Sequence, residues 1–439
     1  METFRLPDDL LLGVATSATQ IEGGETNHSW YRWSSQAGRT KDGKDTSVAN
    51  DHWHRVDQDL ELMRRLNVQT YRLGLEWSRL EPRPGEFSLE AARHYRDEIS
   101  QLREAGLTPL VTLHHFSNPL WLEDDGGWTN PQVVGLFERY TDFCVRQLGD
   151  LVSDWVTINE PNVYLTFGYT RGIWPPGRND LRAFGKGARL MIAAHIAAYR
   201  TIHRRRREMG LGDTKVGLAH HLRVFTPKHG RLLEKMVCRM YERLFHDMFI
   251  VGAAEGRLLP PLGLGRPRGR GDYQDFFGVN YYSRDIISFS PARYGEMFGR
   301  FEVKAGAPVN DLGWEIYPEG LYTLCARYYK RYGQPIYITE NGTPDARDAF
   351  RAKYIYDHLR QIKLLRDDGV DVRRYYHWTL MDNFEWAEGY TARFGLIEVD
   401  FDTQARTIRP SGWFFRDVIR ERGVTPAMID QYLSIRSGG

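Results

Sequence analysis

Two glutamates dominate the chemistry this sequence offers. Each closes a short apolar run, in Thr157-Ile158-Asn159-Glu160-Pro161 and in Ile338-Thr339-Glu340-Asn341-Gly342. An ionised carboxylate at the end of a buried strand is costly unless it is paired or used. Taken alone, such a glutamate reads as a salt-bridge partner; Arg72, on another apolar run, would serve Glu340 in that way and would equally hold it ionised as a nucleophile. Two opposed carboxylates suit the cleavage of a glycosidic bond: one protonates the leaving oxygen while the other attacks the anomeric carbon or activates water. Gln20, His115, Asn159, Asn280, Glu385, Tyr282, Trp378 and Trp386 all fall at or just beyond the ends of similar runs. Amides, an imidazole and a carboxylate match sugar hydroxyls, and indole faces match the C–H surface of the ring. Each residue by itself reads as a loop hydrogen bond or a core aromatic; gathered at one rim they describe a sugar pocket.

To reach one rim these residues need a scaffold, and the chain supplies one. Apolar, β-rich runs recur at residues 11–18, 70–77, 109–115, 155–160, 216–221, 276–282, 335–340 and 375–381. Helical periodicity fills the intervals at 56–66, 90–105, 132–148, 190–209, 232–250, 321–332 and 350–366, and 413–421 reads as a closing helix. Alternating strands and helices imply parallel pairing with right-handed crossovers. Eight such units predict an α/β fold, a single (β/α)8 TIM barrel whose long βα loops, such as 168–180 and 288–313, form the mouth. The Pro-, Gly- and Arg-rich stretch 258–272 lies between a helix and the sixth strand and reads as a loop insertion, so one domain is expected over 1–439. Glutamates on the fourth and seventh strands would face one another across the barrel, about 5 Å apart, the spacing of retaining glycosidases. Trp30, Trp33, Trp121, Trp128 and Trp174 are candidates for the aglycone side, with core packing the competing reading.

Composition narrows the alternatives. The 59 basic and 57 acidic side chains leave a formal charge of +2, which argues against a nucleic-acid or membrane-surface partner. No apolar run reaches the roughly 18 residues of a spanning helix, and the N-terminal Met-Glu-Thr-Phe-Arg-Leu-Pro lacks the features of a secretory signal. Cys144, Cys238 and Cys325 form no CxxC pair and read as buried free thiols of a reducing, cytoplasmic setting. Adjacent histidines in a strand point to opposite faces, so neither His114-His115 nor His220-His221 is expected to chelate one ion; His52 and His54 read as surface or packing residues. The triplets Asn27-His28-Ser29 and Asn341-Gly342-Thr343 match a glycosylation acceptor pattern but read as unused.

The chain resembles glycoside hydrolase family 1, the β-glucosidase family, from about residue 11 to 413. The resemblance is carried by the two glutamate motifs, by Leu12-Gly13-Val14-Ala15-Thr16-Ser17-Ala18-Thr19-Gln20-Ile21-Glu22-Gly23, and by Tyr71-Arg72 with Trp77-Ser78-Arg79. Asn280-Tyr281-Tyr282, Gly313-Trp314-Glu315-Ile316-Tyr317-Pro318 and Asp382-Asn383-Phe384-Glu385-Trp386 continue it. It implies a retaining hydrolase of terminal β-D-glucosyl residues, with β-galactosyl and β-fucosyl residues also accepted, that needs no metal or cofactor and whose partner is a small β-glycoside or oligosaccharide. Glu160 would be the acid/base and Glu340 the nucleophile, held by Arg72 and Tyr282. Gln20, His115, Asn159 and Glu385 would bind glycone hydroxyls, with Trp378 beneath the ring, Trp386 beside Glu385 and Asn280 lining the same pocket. One departure is Phe116 after His115, where many members have tryptophan. Another is Ala387-Glu388-Gly389-Tyr390, which lacks the Ser and Lys that hold phosphate in 6-phospho-glycosidases. A 6-phospho-β-glycosidase and an inactive carbohydrate-binding barrel are the competing readings.

Overall fold

The computed structural model describes residues 1–434, so the last residues of the expected 1–439 domain lie outside the described residues. Eight parallel strands form a ring: β1 (Leu11–Ala15), β2 (Thr70–Gly74), β3 (Thr108–His114), β4 (Asp154–Asn159), β5 (Lys215–Pro227), β6 (Phe277–Phe289), β7 (Ile336–Asn341) and β8 (Val372–Trp378). Each pairs with its sequence neighbours, and β8 pairs with β1 to close the ring. The helices around it are α1 (His52–Arg65), α2 (Leu89–Glu104), α3 (Val133–Leu148), α4 (Leu181–Glu208), α5 (Leu232–Tyr241), α6 (Met248–Glu255), α7 (Glu319–Tyr332), α8 (Arg351–Asp367) and α9 (Pro410–Glu421). The fold is a (β/α)8 barrel.

The two-residue period of a strand sorts side chains between two layers. On β2, Tyr71 and Leu73 join the large cluster between sheet and helices, whereas Arg72 points into the barrel. Ala15, Leu110, Val156, Ala219, Phe276, Tyr337, Tyr376 and Trp378 pack together as the interior plug. At the N-terminal end Arg374 reaches Asp154 at 2.7 Å and lies over the Tyr337 ring. The interior is therefore filled, and the open space sits at the C-terminal ends of the strands.

Several expected boundaries move for local reasons. The first two runs, expected over 11–18 and 70–77, end as strands at Ala15 and Gly74. Beyond Gly74 the Glu76 carboxylate accepts from the Ser78 N–H and starts a helical turn at Trp77–Leu80. The helix expected over 190–209 begins at Leu181, because Asp180 caps the N–H groups of Arg182 and Ala183 and offsets the weak helix formers Gly185 and Gly187. The helix expected over 232–250 is two, α5 and α6, joined by a π-helical segment at Glu242–Asp247. The fifth and sixth strands, expected over 216–221 and 276–282, are 13 residues each. They stay paired beyond the rim as far as Pro227 and Ile287, raising one wall of the mouth. Cys144, Cys238 and Cys325 are buried and free. Among the described residues no helix is long and apolar enough to cross a membrane.

Candidate active site

Glu160 sits where β4 turns into the short helix Pro161–Leu165. Pro161 at the first helical position disfavours right-handed helical geometry in the residue before it, and Glu160 takes a left-handed conformation, φ 41° and ψ 59°. Such a conformation costs a non-glycine residue roughly 1–3 kcal/mol and persists where neighbours enforce it. Here the Glu160 N–H donates to the Ala219 carbonyl at 2.9 Å, and its own carbonyl accepts from Val163 and Tyr164. Phe116 and Trp386, which line the same pocket, also have positive φ. Glu340 lies within β7, beside Asn280 of β6. Two residues on, a side chain at Gly342 would place its Cβ 1.7 Å from the Trp378 carbonyl oxygen, so only glycine lets β7 and β8 approach this closely.

One hydrogen-bond chain joins the two carboxylates. Arg72, fully buried, donates to Glu340 Oε1 at 2.6 Å, to Asn159 Oδ1 at 2.7 Å, to the Thr339 carbonyl at 3.1 Å and to Thr112 Oγ1 at 3.0 Å. Asn280 donates to Asn159 Oδ1 at 3.0 Å and to Glu160 Oε1 at 2.7 Å, while its oxygen accepts from Thr339 at 2.6 Å. The Tyr282 hydroxyl donates to the other oxygen of Glu340, Oε2, at 2.5 Å. His221 Nδ1 lies 3.0 Å from Glu160 Oε1. Burial pushes the Glu340 carboxyl up, to about 7; Arg72 pulls it back and the nearby Glu160 pushes it further.

The pocket above this chain holds about 360 Å³. Of the expected site residues, His115, Glu160, Tyr282, Glu340, Trp378, Glu385 and Trp386 line it. Arg72, Gln20, Asn159 and Asn280 lie behind that lining, fully buried. Gln20 donates to the Phe384 carbonyl at 2.8 Å, to Asn383 Oδ1 at 3.1 Å and to Glu385 Oε2 at 3.4 Å, and so holds the segment that carries Glu385. Burial, then the charges of Glu340 and Glu160, push the Glu385 carboxyl up to about 8. His115 accepts from the Asn159 amide at Nε2, 3.0 Å, which leaves its proton on Nδ1. Burial and the adjacent Arg72 hold this ring neutral. It lies stacked between Trp378 and Trp386, each 5.8 Å away.

Of the five tryptophans proposed for the aglycone side, Trp174 lines the pocket; Trp30 and Trp128 are fully buried. Trp33 packs under Arg39, and Trp121 donates to the Glu81 carbonyl. The wall also includes residues not expected there, among them His221 and Arg223 on β5, Phe245 in the π-helical segment and Phe394 after β8. The extension of β5 places Arg223 and the π segment places Phe245, and neither feature shows in apolar periodicity. His52 is a packing residue, buried between Asp59 at 2.7 Å and Glu98 at 3.1 Å. Among the described residues no group of three or more His, Cys, Asp and Glu is arranged to hold a metal ion.

A barrel with two carboxylates and a sugar-shaped polar and aromatic lining at its C-terminal mouth defines an O-glycosyl hydrolase. The family model described as Glycosyl hydrolase family 1 matches residues 2–257 and 270–424, and the chain belongs to that family. The unmatched residues 258–269 fall within the expected loop insertion. Beta-glucosidase A of Acetivibrio thermocellus is 32% identical over 96% of this chain and 100% of its own length. A β-glycosidase from Pyrococcus horikoshii superposes with a TM-score of 0.90, at 30% identity over 99% of both chains. A β-glucosidase from Thermotoga maritima in complex with glucoimidazole superposes with a TM-score of 0.88, at 30% identity over 96% of this chain and 100% of that one.

Proposed function

We propose that this chain is a retaining β-glucosidase that removes terminal β-D-glucosyl residues, and β-galactosyl and β-fucosyl residues through the same pocket. The observation that carries this reading is the unequal environment of the two carboxylates. Glu340 accepts from a guanidinium and a phenol, which favour its ionised form. Glu160 meets an amide and an imidazole, neither of them a permanent cation. Glu340 is thus the nucleophile and Glu160 the acid/base.

In the first step Glu340 attacks the anomeric carbon, the bond to the aglycone oxygen breaks, and Glu160 gives that oxygen its proton. The covalent ester removes the charge of Glu340. In the second step water attacks the same carbon, Glu160 takes a proton from it, and the ester bond breaks to restore the Glu340 carboxylate. Arg72 and Tyr282 stabilise the nucleophile, and Asn280 positions Glu160. Gln20, His115, Asn159 and Glu385 bind the glycone, which rests on Trp378 beside Trp386. The outer wall, with Phe167, Ile173, Phe245 and Trp314, is apolar and supports aryl or alkyl aglycones. Residues 1–439 act as one catalytic domain, a reading supported by one hydrophobic cluster that runs from Leu6 to Leu433. Three free, buried cysteines support a reducing, cytoplasmic setting.

A panel of nitrophenyl β-glycosides tests the substrate class. The gluco, galacto and fuco substrates should all be cleaved and the 6-phosphoglucoside should not. Cleavage confined to the 6-phosphoglucoside would overturn the glycone assignment, and no cleavage at all would favour the inactive carbohydrate-binding barrel.

A further inference from the structure

The His221 imidazole is placed against the carboxyl group that must deliver a proton. Its Nδ1 is 3.0 Å from Glu160 Oε1, the same oxygen that accepts from Asn280 Nδ2 at 2.7 Å. The Asn280 amide is oriented by its oxygen, which accepts from Thr339, so its nitrogen faces Glu160. The turn that carries Glu160 also holds the histidine's backbone: Asn162 donates to the His221 carbonyl at 2.9 Å and to the Phe245 carbonyl at 3.0 Å. The ring is clamped as well, stacked on Tyr282 at 5.9 Å and set edge-on to Phe245 at 6.0 Å. Strand alternation turns the neighbouring His220 the other way, onto Phe277.

Resting on the acid/base reading above, we infer that His221 is a positioning residue for Glu160, donating its Nδ1–H to Oε1 and thereby confining the transferable proton to Oε2. An oxygen that accepts from two N–H groups has no room for a proton of its own. When the proton leaves, the same two donors stabilise the carboxylate that forms, because hydrogen bonds to the charged form favour it. The charged and titratable groups around the ring fit a donor role. Glu160 faces it from the β4 turn, and Tyr282 of β6 is itself bonded to Glu340 of β7. Arg223, on the same strand, is matched by Asp285 at 2.7 Å. His246 of the π-helical segment is held neutral, by burial first and by His221 second, and accepts the Arg223 backbone N–H.

The test compares His221→Phe and His221→Asn with the native enzyme, measuring kcat/KM against pH and against leaving group. Phenylalanine keeps the stacking and removes the donor. Its kcat/KM for alkyl glycosides should fall about tenfold, the order of one hydrogen bond to a charged group, with a smaller loss for dinitrophenyl glycosides. The basic limb of its pH profile should move upward. Asparagine can place its amide nitrogen where Nδ1 stands and should restore both readouts. His221→Leu gives the same reading should the phenylalanine variant fail to fold. An unmoved basic limb with equal loss across leaving groups, or an asparagine variant that behaves like phenylalanine, would overturn the inference. Glu160→Gln measured alongside separates the two failures. If its loss is also independent of the leaving group, the acid assignment itself falls; if its loss depends on the leaving group, only the role of His221 falls.

Discussion

The Tyr282 hydroxyl donates to Glu340 Oε2 at 2.5 Å inside a buried pocket, and Tyr282→Phe deletes that donor while keeping the ring. A hydrogen bond to a charged group contributes about 1.5–3 kcal/mol. Because about 1.4 kcal/mol corresponds to one pH unit, its loss should raise the Glu340 titration by about one to two units. The native carboxyl already titrates near 7, pushed there by burial against the pull of Arg72. The nucleophile must be ionised, so a raised titration moves the acid limb of the kcat/KM profile to higher pH. Below that limb the variant should lose about ten- to a hundredfold in kcat/KM, with a much smaller loss well above it. The assay is initial-rate hydrolysis of nitrophenyl β-glucoside across the pH range, with circular dichroism as the folding control. An acid limb that stays in place would refute the claim that this phenol stabilises the charge on Glu340.

Glu340→Ala should abolish turnover of aryl β-glycosides in a folded protein, and azide should restore part of it as the α-glycosyl azide; near-native activity without azide would remove Glu340 from its role. Glu160→Gln should spare the glycosylation step with dinitrophenyl leaving groups, which need little protonation, and lose it with alkyl ones; an equal loss would remove Glu160 as the acid. A third prediction concerns stability. Burial opposes charge on His52, but Asp59 and Glu98 outweigh it and hold the imidazole protonated up to about 10. A titration raised on folding contributes stability that is complete below the unfolded value of about 6.5 and is lost as pH rises through about 10. Thermal midpoints should therefore fall across that window, and His52→Phe should flatten this part of the curve; an unchanged slope would contradict the charged state of His52.

Strand periodicity made the barrel legible, and with it the two carboxylates, because a glutamate after an apolar run is costly without a partner. Arg72 was legible as the partner of Glu340 for the same reason: an inward-facing charge between Tyr71 and Leu73 must be met from across the ring. His221 was not. Alternation keeps the His220-His221 pair from chelating one ion, yet the same alternation turns one histidine of the pair toward the barrel mouth. The missing information was the carboxylate opposite, which comes from another strand. Trp30 and Trp128 illustrate the converse difficulty, since a tryptophan in a βα connection reads alike whether it lines the mouth or packs behind it. Capping chemistry decided the early start of α4 at Leu181, where two glycines masked the helical pattern.

The central claim is that Glu340 attacks the anomeric carbon directly and that water later enters on the face left by the aglycone, with Glu160 as its base. Proton NMR of the first-formed sugar, recorded before mutarotation during hydrolysis of an aryl β-glucoside, tests it most directly. Two displacements at one carbon return the starting configuration, so β-glucose should appear first. If α-glucose appears first, a single displacement by water has occurred and the role given to Glu340 is wrong.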